Sequence, residues 1–78
     1  MKNQQKIIEL ARELGLVAHA SFAAGVKISR DSMVDAGDGR GELDEELCYS
    51  LVLGLIREFY PTVFWSCRDD DWYYLSEL

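Results

Sequence analysis

From Leu47 to Tyr60, ten of fourteen residues are apolar, and Pro61 follows at once. A surface helix of a globular protein carries its apolar residues on one face. This segment carries them most of the way round, interrupted only by Ser50, Gly54, Arg57 and Glu58. Such a helix has to be covered on most sides, either by the rest of its own domain or by a second copy of the chain. Its ends are marked as well. Glu42, Asp44, Glu45 and Glu46 crowd the first turn, where the macrodipole favours negative charge, and Arg57 sits in the last turn with the favourable sign. Pro61 stops it. A helix over residues 43–60 is the strongest local signal in the chain.

What can cover it is bounded by size. A chain of 78 residues and 8.9 kDa is one domain, residues 1–78. Surface scaling gives about 4,800 Å² exposed after folding, against about 12,900 Å² for the open chain. One small core is within reach and little more. An apolar fraction of 49% with nine aromatic residues excludes intrinsic disorder. The apolar runs are too short to cross a membrane. The polar start, Met1 to Lys6, runs directly into a helical pattern, so no signal peptide is expected and the setting is taken as cytoplasmic. In a reducing compartment Cys48 and Cys67 are expected as thiols, Cys48 as a small core residue of the helix.

The remaining elements are read from periodicity. Ile7, Leu10, Ala11 and Leu14 recur at helical spacing, with Asn3 as the expected N-cap and Gly15 as the C′ residue. Leu16 then closes the hydrophobic contact back onto the helix. Residues 16–22 and 26–30 alternate like strands around Ala23-Ala24-Gly25 and read as a hairpin. The rival is a short helix over 17–24, because alanine is a poor strand former. Residues 31–41, with three glycines and three aspartates, read as a flexible loop. Residues 62–67 and 72–75 are rich in β-branched and aromatic residues and flank Arg68-Asp69-Asp70-Asp71, a second hairpin. The expected fold is α+β, in the order α-β-β-α-β-β, with two helices packed on one antiparallel sheet.

Motif tests for chemistry fail one after another. An EF-hand starting at Asp31 puts Met33 and Ala36 where a ligand and a glycine belong, and a start at Val34 lacks its first ligand. A non-EF cation site from Asp35, Asp38 and Glu42 is the weaker alternative to a plain turn. Gly37, Gly39 and Gly41 lack the G-K-[ST] ending of a phosphate loop and lie among acids. His19 with Cys48 or Cys67 has no supporting spacing for a nucleophile–base pair. The expectation is a protein that is not an enzyme and has no cofactor or metal.

Charge carries more information. Residues 1–30 have a local net charge of +3 and residues 31–78 one of −9, for a total of −6. That balance argues against direct binding of nucleic acid, which needs clustered Lys and Arg, and toward a partner with a basic surface. The candidate contact residues are Asp69, Asp70, Asp71, Trp72, Tyr73 and Tyr74 of the second hairpin, with Glu42, Asp44, Glu45 and Glu46 of the helix start. Adjacent carboxylates can imitate nucleic-acid phosphates toward Arg and Lys, and Trp and Tyr anchor interfaces. About half of the aromatic residues around the turn are expected to face the core.

In size and charge the chain resembles the small phage-borne inhibitors of host nucleases, the anti-CRISPR proteins. That resemblance implies a non-enzymatic inhibitor that blocks the basic nucleic-acid-binding surface of a nuclease or CRISPR surveillance complex in the host cytoplasm. Two alternatives stand beside it. One is an immunity protein or antitoxin against a basic toxin. The other is a structural or accessory subunit that associates through the apolar helix 43–60, as a homodimer in the simplest case.

Overall fold

The computed structural model describes residues 1–22, 25–37 and 45–78, with backbone alone for Ala36 and Gly37. The order is α1 (Gln4–Glu13), β1 (Ala18–Ser21), β2 (Gly25–Ser29), α2 (Arg30–Gly37), α3 (Glu45–Arg57), β3 (Val63–Arg68) and β4 (Trp72–Glu77). The fold is α+β, as the periodicities imply, with one helix more than expected.

Local chemistry accounts for most of these boundaries. Leu14 ends α1, and Gly15 follows at φ +87°. Its N–H donates to the Arg12 carbonyl and the Leu16 N–H to the Ala11 carbonyl, both at 3.0 Å, which is the Schellman pattern. Leu16 is buried in the same cluster as Ala11. Asn3 corrects an expectation. It precedes α1, but its side chain makes no cap. Its Nδ2 donates to Glu77 Oε2 at 2.6 Å and its backbone N–H to Glu77 Oε1 at 2.9 Å, tying the start of α1 to the end of β4.

The segment expected as a loop over 31–41 is in part helical, since α2 runs from Arg30 to Gly37. Its first turn is capped by Ser29, whose Oγ accepts the Ser32 N–H, while the Ser32 hydroxyl donates to the Ser29 carbonyl. Met33 anchors it, fully buried. The glycines and aspartates that signalled a loop mask a helix that buries Met33 and packs Val34 against the core. The rest of the expected loop, residues 38–41, lies outside the described residues, as do residues 42–44 at the expected start of the next helix.

The four strands form one antiparallel sheet in the order β1-β2-β4-β3. Within residues 16–22 the structure forms a strand over Ala18–Ser21, not the rival helix. The β3–β4 register shifts between Trp65 and Cys67, a bulge at Ser66. On one face Ala18, Val26, Ile28, Val63, Tyr73 and Leu75 are buried against the helices. Their partners there are Ile7, Ile8 and Ala11 of α1, Met33 of α2, and Tyr49, Val52 and Ile56 of α3. The opposite face carries His19, Lys27, Trp72 and Tyr74, and among the described residues no helix packs over it. The folded surface is 4902 Å², close to the scaling value.

The thin sheet and α1 cover only part of α3. Cys48, Tyr49, Val52 and Ile56 are buried, while Leu47, Leu51 and Leu55 stay 44–47% exposed and Phe59 66%. Leu51 is therefore not the core residue its place in the apolar run suggests.

Candidate protein-binding site at the acidic end

Strand order creates this site. Ser29 at the end of β2 pairs with Trp72 at the start of β4, so Arg30 emerges beside the turn at 69–71. The Arg30 N–H donates to the Asp71 carbonyl at 2.9 Å, and its Nη1 reaches the Asp70 carbonyl at 3.4 Å. The same guanidinium forms an ion pair with Glu45 in the first turn of α3. One arginine thus ties the hairpin turn to the start of the helix, the two acidic segments singled out in the sequence. Arg30, Glu45, Arg68, Asp69, Asp70 and Tyr73 line a shallow cleft of about 220 Å³ between them.

The three aspartates do different work. Asp69 shapes the turn. Its Oδ1 accepts the N–H of Asp71 at 2.9 Å and of Trp72 at 2.7 Å, and its Oδ2 accepts the Tyr74 hydroxyl at 2.7 Å. The Tyr74 hydroxyl, then the two backbone N–H groups, hold its carboxyl below the usual range, and the carboxylate in turn raises the Tyr74 hydroxyl. Asp70 and Asp71 are exposed, and among the described residues neither carboxylate has a hydrogen bond or an ion pair. Glu45 is held low, first by its hydrogen bond with Arg30. Glu46 is exposed. Glu42 and Asp44 lie outside the described residues.

The aromatic residues divide by sheet face. Tyr73 is 4% exposed and packs on Tyr49 with ring centroids 3.6 Å apart, and Trp65 meets it edge-on at 5.6 Å. The Arg68 Nη1 donates to the Tyr73 hydroxyl at 2.6 Å. Tyr73 therefore supports the site from beneath instead of meeting a partner. Burial pushes the Tyr49 hydroxyl well up, and neither it nor Trp65 Nε1 meets hydrogen-bond geometry among the described residues. Trp72 and Tyr74 are half-buried on the open face. There the Lys27 ammonium sits 4.4 Å from the centre of the Trp72 ring and His19 meets it edge-on. These rings already have partners within the chain.

Sequence reasoning missed Arg30 and Arg68. Arg30 was counted with the basic first third, 40 residues from Asp70, and no local pattern signals their contact.

The other candidates are dispersed. His19 and Cys67 share the open face but lie three strands apart, roughly 14 Å at ordinary strand spacing. Cys48 is buried on the other side. Asp35 is on α2, whereas Asp38 and Glu42 lie outside the described residues. Among those described, no three His, Cys, Asp or Glu side chains are grouped to hold a metal ion, and no helix is long and apolar enough to cross a membrane.

Compared with known proteins, the chain matches no family model, and no match is found among curated proteins or solved structures.

Proposed function

We propose that this chain is a non-enzymatic binding protein of the cytoplasm whose acidic end docks on a basic protein surface. The occupied surface is the nucleic-acid-binding groove of a nuclease or CRISPR-associated complex, and docking there inhibits it. One observation carries the reading. Arg30 holds the 69–71 turn against the start of α3, and the exposed Asp70 and Asp71 carboxylates there have no hydrogen bond or ion pair among the described residues. Adjacent carboxylates, with Glu45 and Glu46 at the start of α3, offer Arg and Lys side chains a charge pattern like that of a phosphate backbone. Opposite charge would also steer association and make it sensitive to salt.

The test uses the full chain immobilised against a nuclease-treated lysate of cells that carry a CRISPR system. Capture at low salt is followed by a rising salt step, in parallel with the D70N/D71N variant. A basic nucleic-acid-binding protein is expected from the wild type and not from the variant. Its nuclease activity should fall on adding the wild-type chain and not the variant. Equal recovery on both, or inhibition that survives the double substitution, would overturn the reading.

A further inference from the structure

We infer that the cleft between α3 and β3 is a binding site for a small zwitterion, an α-amino acid with an apolar or aromatic side chain. The inference does not rest on the acidic-end reading. It rests on how a helix and a bulged strand build one pocket of mixed chemistry.

The strand wall comes from the bulge. Side chains alternate along a strand, so Trp65 and Arg68, three positions apart, would ordinarily face opposite sides of the sheet. The extra residue at Ser66 cancels that alternation. Trp65 pairs with Leu75 and Arg68 with Tyr73, and both of those partners are buried on the helix side. The indole and the guanidinium therefore stand on one face, toward α3. The helix wall comes from spacing. Glu46, Tyr49 and Ser50 lie at i, i+3 and i+4, a single stripe of α3. Between the two walls is a cleft of about 340 Å³, within the range of small-molecule sites.

The walls carry opposite charges over an aromatic floor. Trp65 stands edge-on to Tyr49 at 6.4 Å and to Tyr73 at 5.6 Å, and all three rings line the cleft. Glu46 supplies a carboxylate from the helix and Arg68 a guanidinium from the strand. Among the described residues neither enters an ion pair, and the pair in this neighbourhood joins Arg30 to Glu45. Arg68 is held above its ordinary value first by its hydrogen bond with the Tyr73 hydroxyl, and the charge of Glu46 adds to the effect. The two charges thus sense each other across the cleft without closing on each other.

This arrangement selects the ligand. A simple amine would meet Glu46 but also face Arg68, and a simple carboxylate would meet the reverse. A molecule with both charges on neighbouring atoms answers both walls. Its carboxylate can take the planar guanidinium, its ammonium the Glu46 carboxylate, and its side chain the aromatic floor. Discrimination against either single ion comes from the repulsive wall as much as from the attractive one.

NMR titration of the ¹⁵N-labelled full chain with L-phenylalanine in about 0.15 M salt tests this. The two indole N–H signals are the readout, with Trp65→Phe assigning them. Trp65 Nε1 has no hydrogen-bond partner among the described residues, and Trp72 lies on the other face of the sheet as an internal control. The Trp65 signal should move and saturate with a dissociation constant on the order of 1 mM. Phenethylamine and 3-phenylpropionate, with one charge each, should bind about fivefold more weakly. Glu46→Gln and Arg68→Gln, both at exposed positions, should keep the circular dichroism of the wild type. Glu46→Gln should erase the advantage of L-phenylalanine over 3-phenylpropionate, and Arg68→Gln its advantage over phenethylamine. A Trp65 signal unmoved up to about 20 mM, or moved equally by all three probes, would overturn the inference. So would movement of Trp72 in its place, or both advantages surviving both substitutions. The D70N/D71N variant should bind L-phenylalanine as the wild type does. Loss of binding there would refute the placement in this cleft, and no result of the titration alone decides capture through Asp70 and Asp71.

Discussion

Two residues of α3, five positions apart, should respond very differently to truncation. Ile56 is fully buried, whereas Leu51 is 47% exposed. Alanine removes three carbons from either side chain. At about 0.8 kcal/mol per buried methylene the lost transfer energy is about 2.4 kcal/mol for a fully buried group. Ile56→Ala also leaves a cavity within the buried cluster that the core closes only in part, which raises its cost to about 3–4 kcal/mol. At Leu51 about half of the removed surface was already in water and solvent fills the space, so Leu51→Ala should cost about 1 kcal/mol. The whole domain has only about 4–12 kcal/mol to lose. Ile56→Val, at about 0.5–1.5 kcal/mol, provides a milder variant should Ile56→Ala fail to fold. Urea unfolding followed by tryptophan fluorescence measures all three. Equal costs for the two alanine variants, or a loss above 2 kcal/mol for Leu51→Ala, would refute the assignment of the open face of α3.

The remaining expectations concern the turn, the ends and the thiols. Asp69→Ala should lower the Tm clearly more than Asp70→Ala or Asp71→Ala, because of the three side chains Asp69 alone bonds the turn backbone and Tyr74 among the described residues; equal losses would dissolve the distinction between the turn-shaping carboxylate and the two exposed ones. Glu45, Glu77 and Asp69 are all held low, first by Arg30, Asn3 and Tyr74 respectively. Carboxyls lowered in the folded state contribute stability that is present above their unfolded values and lost as the pH falls through the folded ones. The Tm should therefore be level above about pH 5 and drop steadily below about pH 4, and a flat or rising profile into acid would count against these contacts. Gly25→Ala should destabilise more than Gly15→Ala. Both positions have φ near +90°, which costs a residue with a Cβ about 1–3 kcal/mol. At Gly25 alone the new Cβ also lies 3.0 Å from the Leu75 carbonyl, and urea midpoints in the opposite order would refute the contact. Cys67 should react with a thiol reagent in the native protein and Cys48 only on unfolding, so two native thiols reacting at one rate would contradict the burial of Cys48.

The elements readable in the sequence are those whose causes lie within a few residues. The turn after α1 follows from Gly15 and its two backbone bonds. The second hairpin follows from aromatic and β-branched runs around an aspartate turn, and α3 from its acidic start, basic finish and proline stop. The acidic segments were equally plain as charge. Helix α2 was hidden because its aspartates and the glycines at and after its end resemble a loop, while its hold on the fold is buried Met33, half-buried Val34 and a serine cap. Asn3 looked like a cap because that is its usual local use, yet Glu77, 74 positions away, takes its side chain.

The sequence by itself determined the α+β class, the hairpins, the charge imbalance and the excess of apolar surface on α3. Tertiary structure alone decided which part of that surface stays open and where the acids meet. Placing β2 beside β4 carries Arg30 across 40 residues to the Asp70 turn and on to Glu45. Local propensity acts over a turn or two of chain, whereas strand order and helix packing join residues that share no sequence neighbourhood. The same packing buries Ile56 and leaves Leu51 in water, although both belong to one unbroken apolar helix.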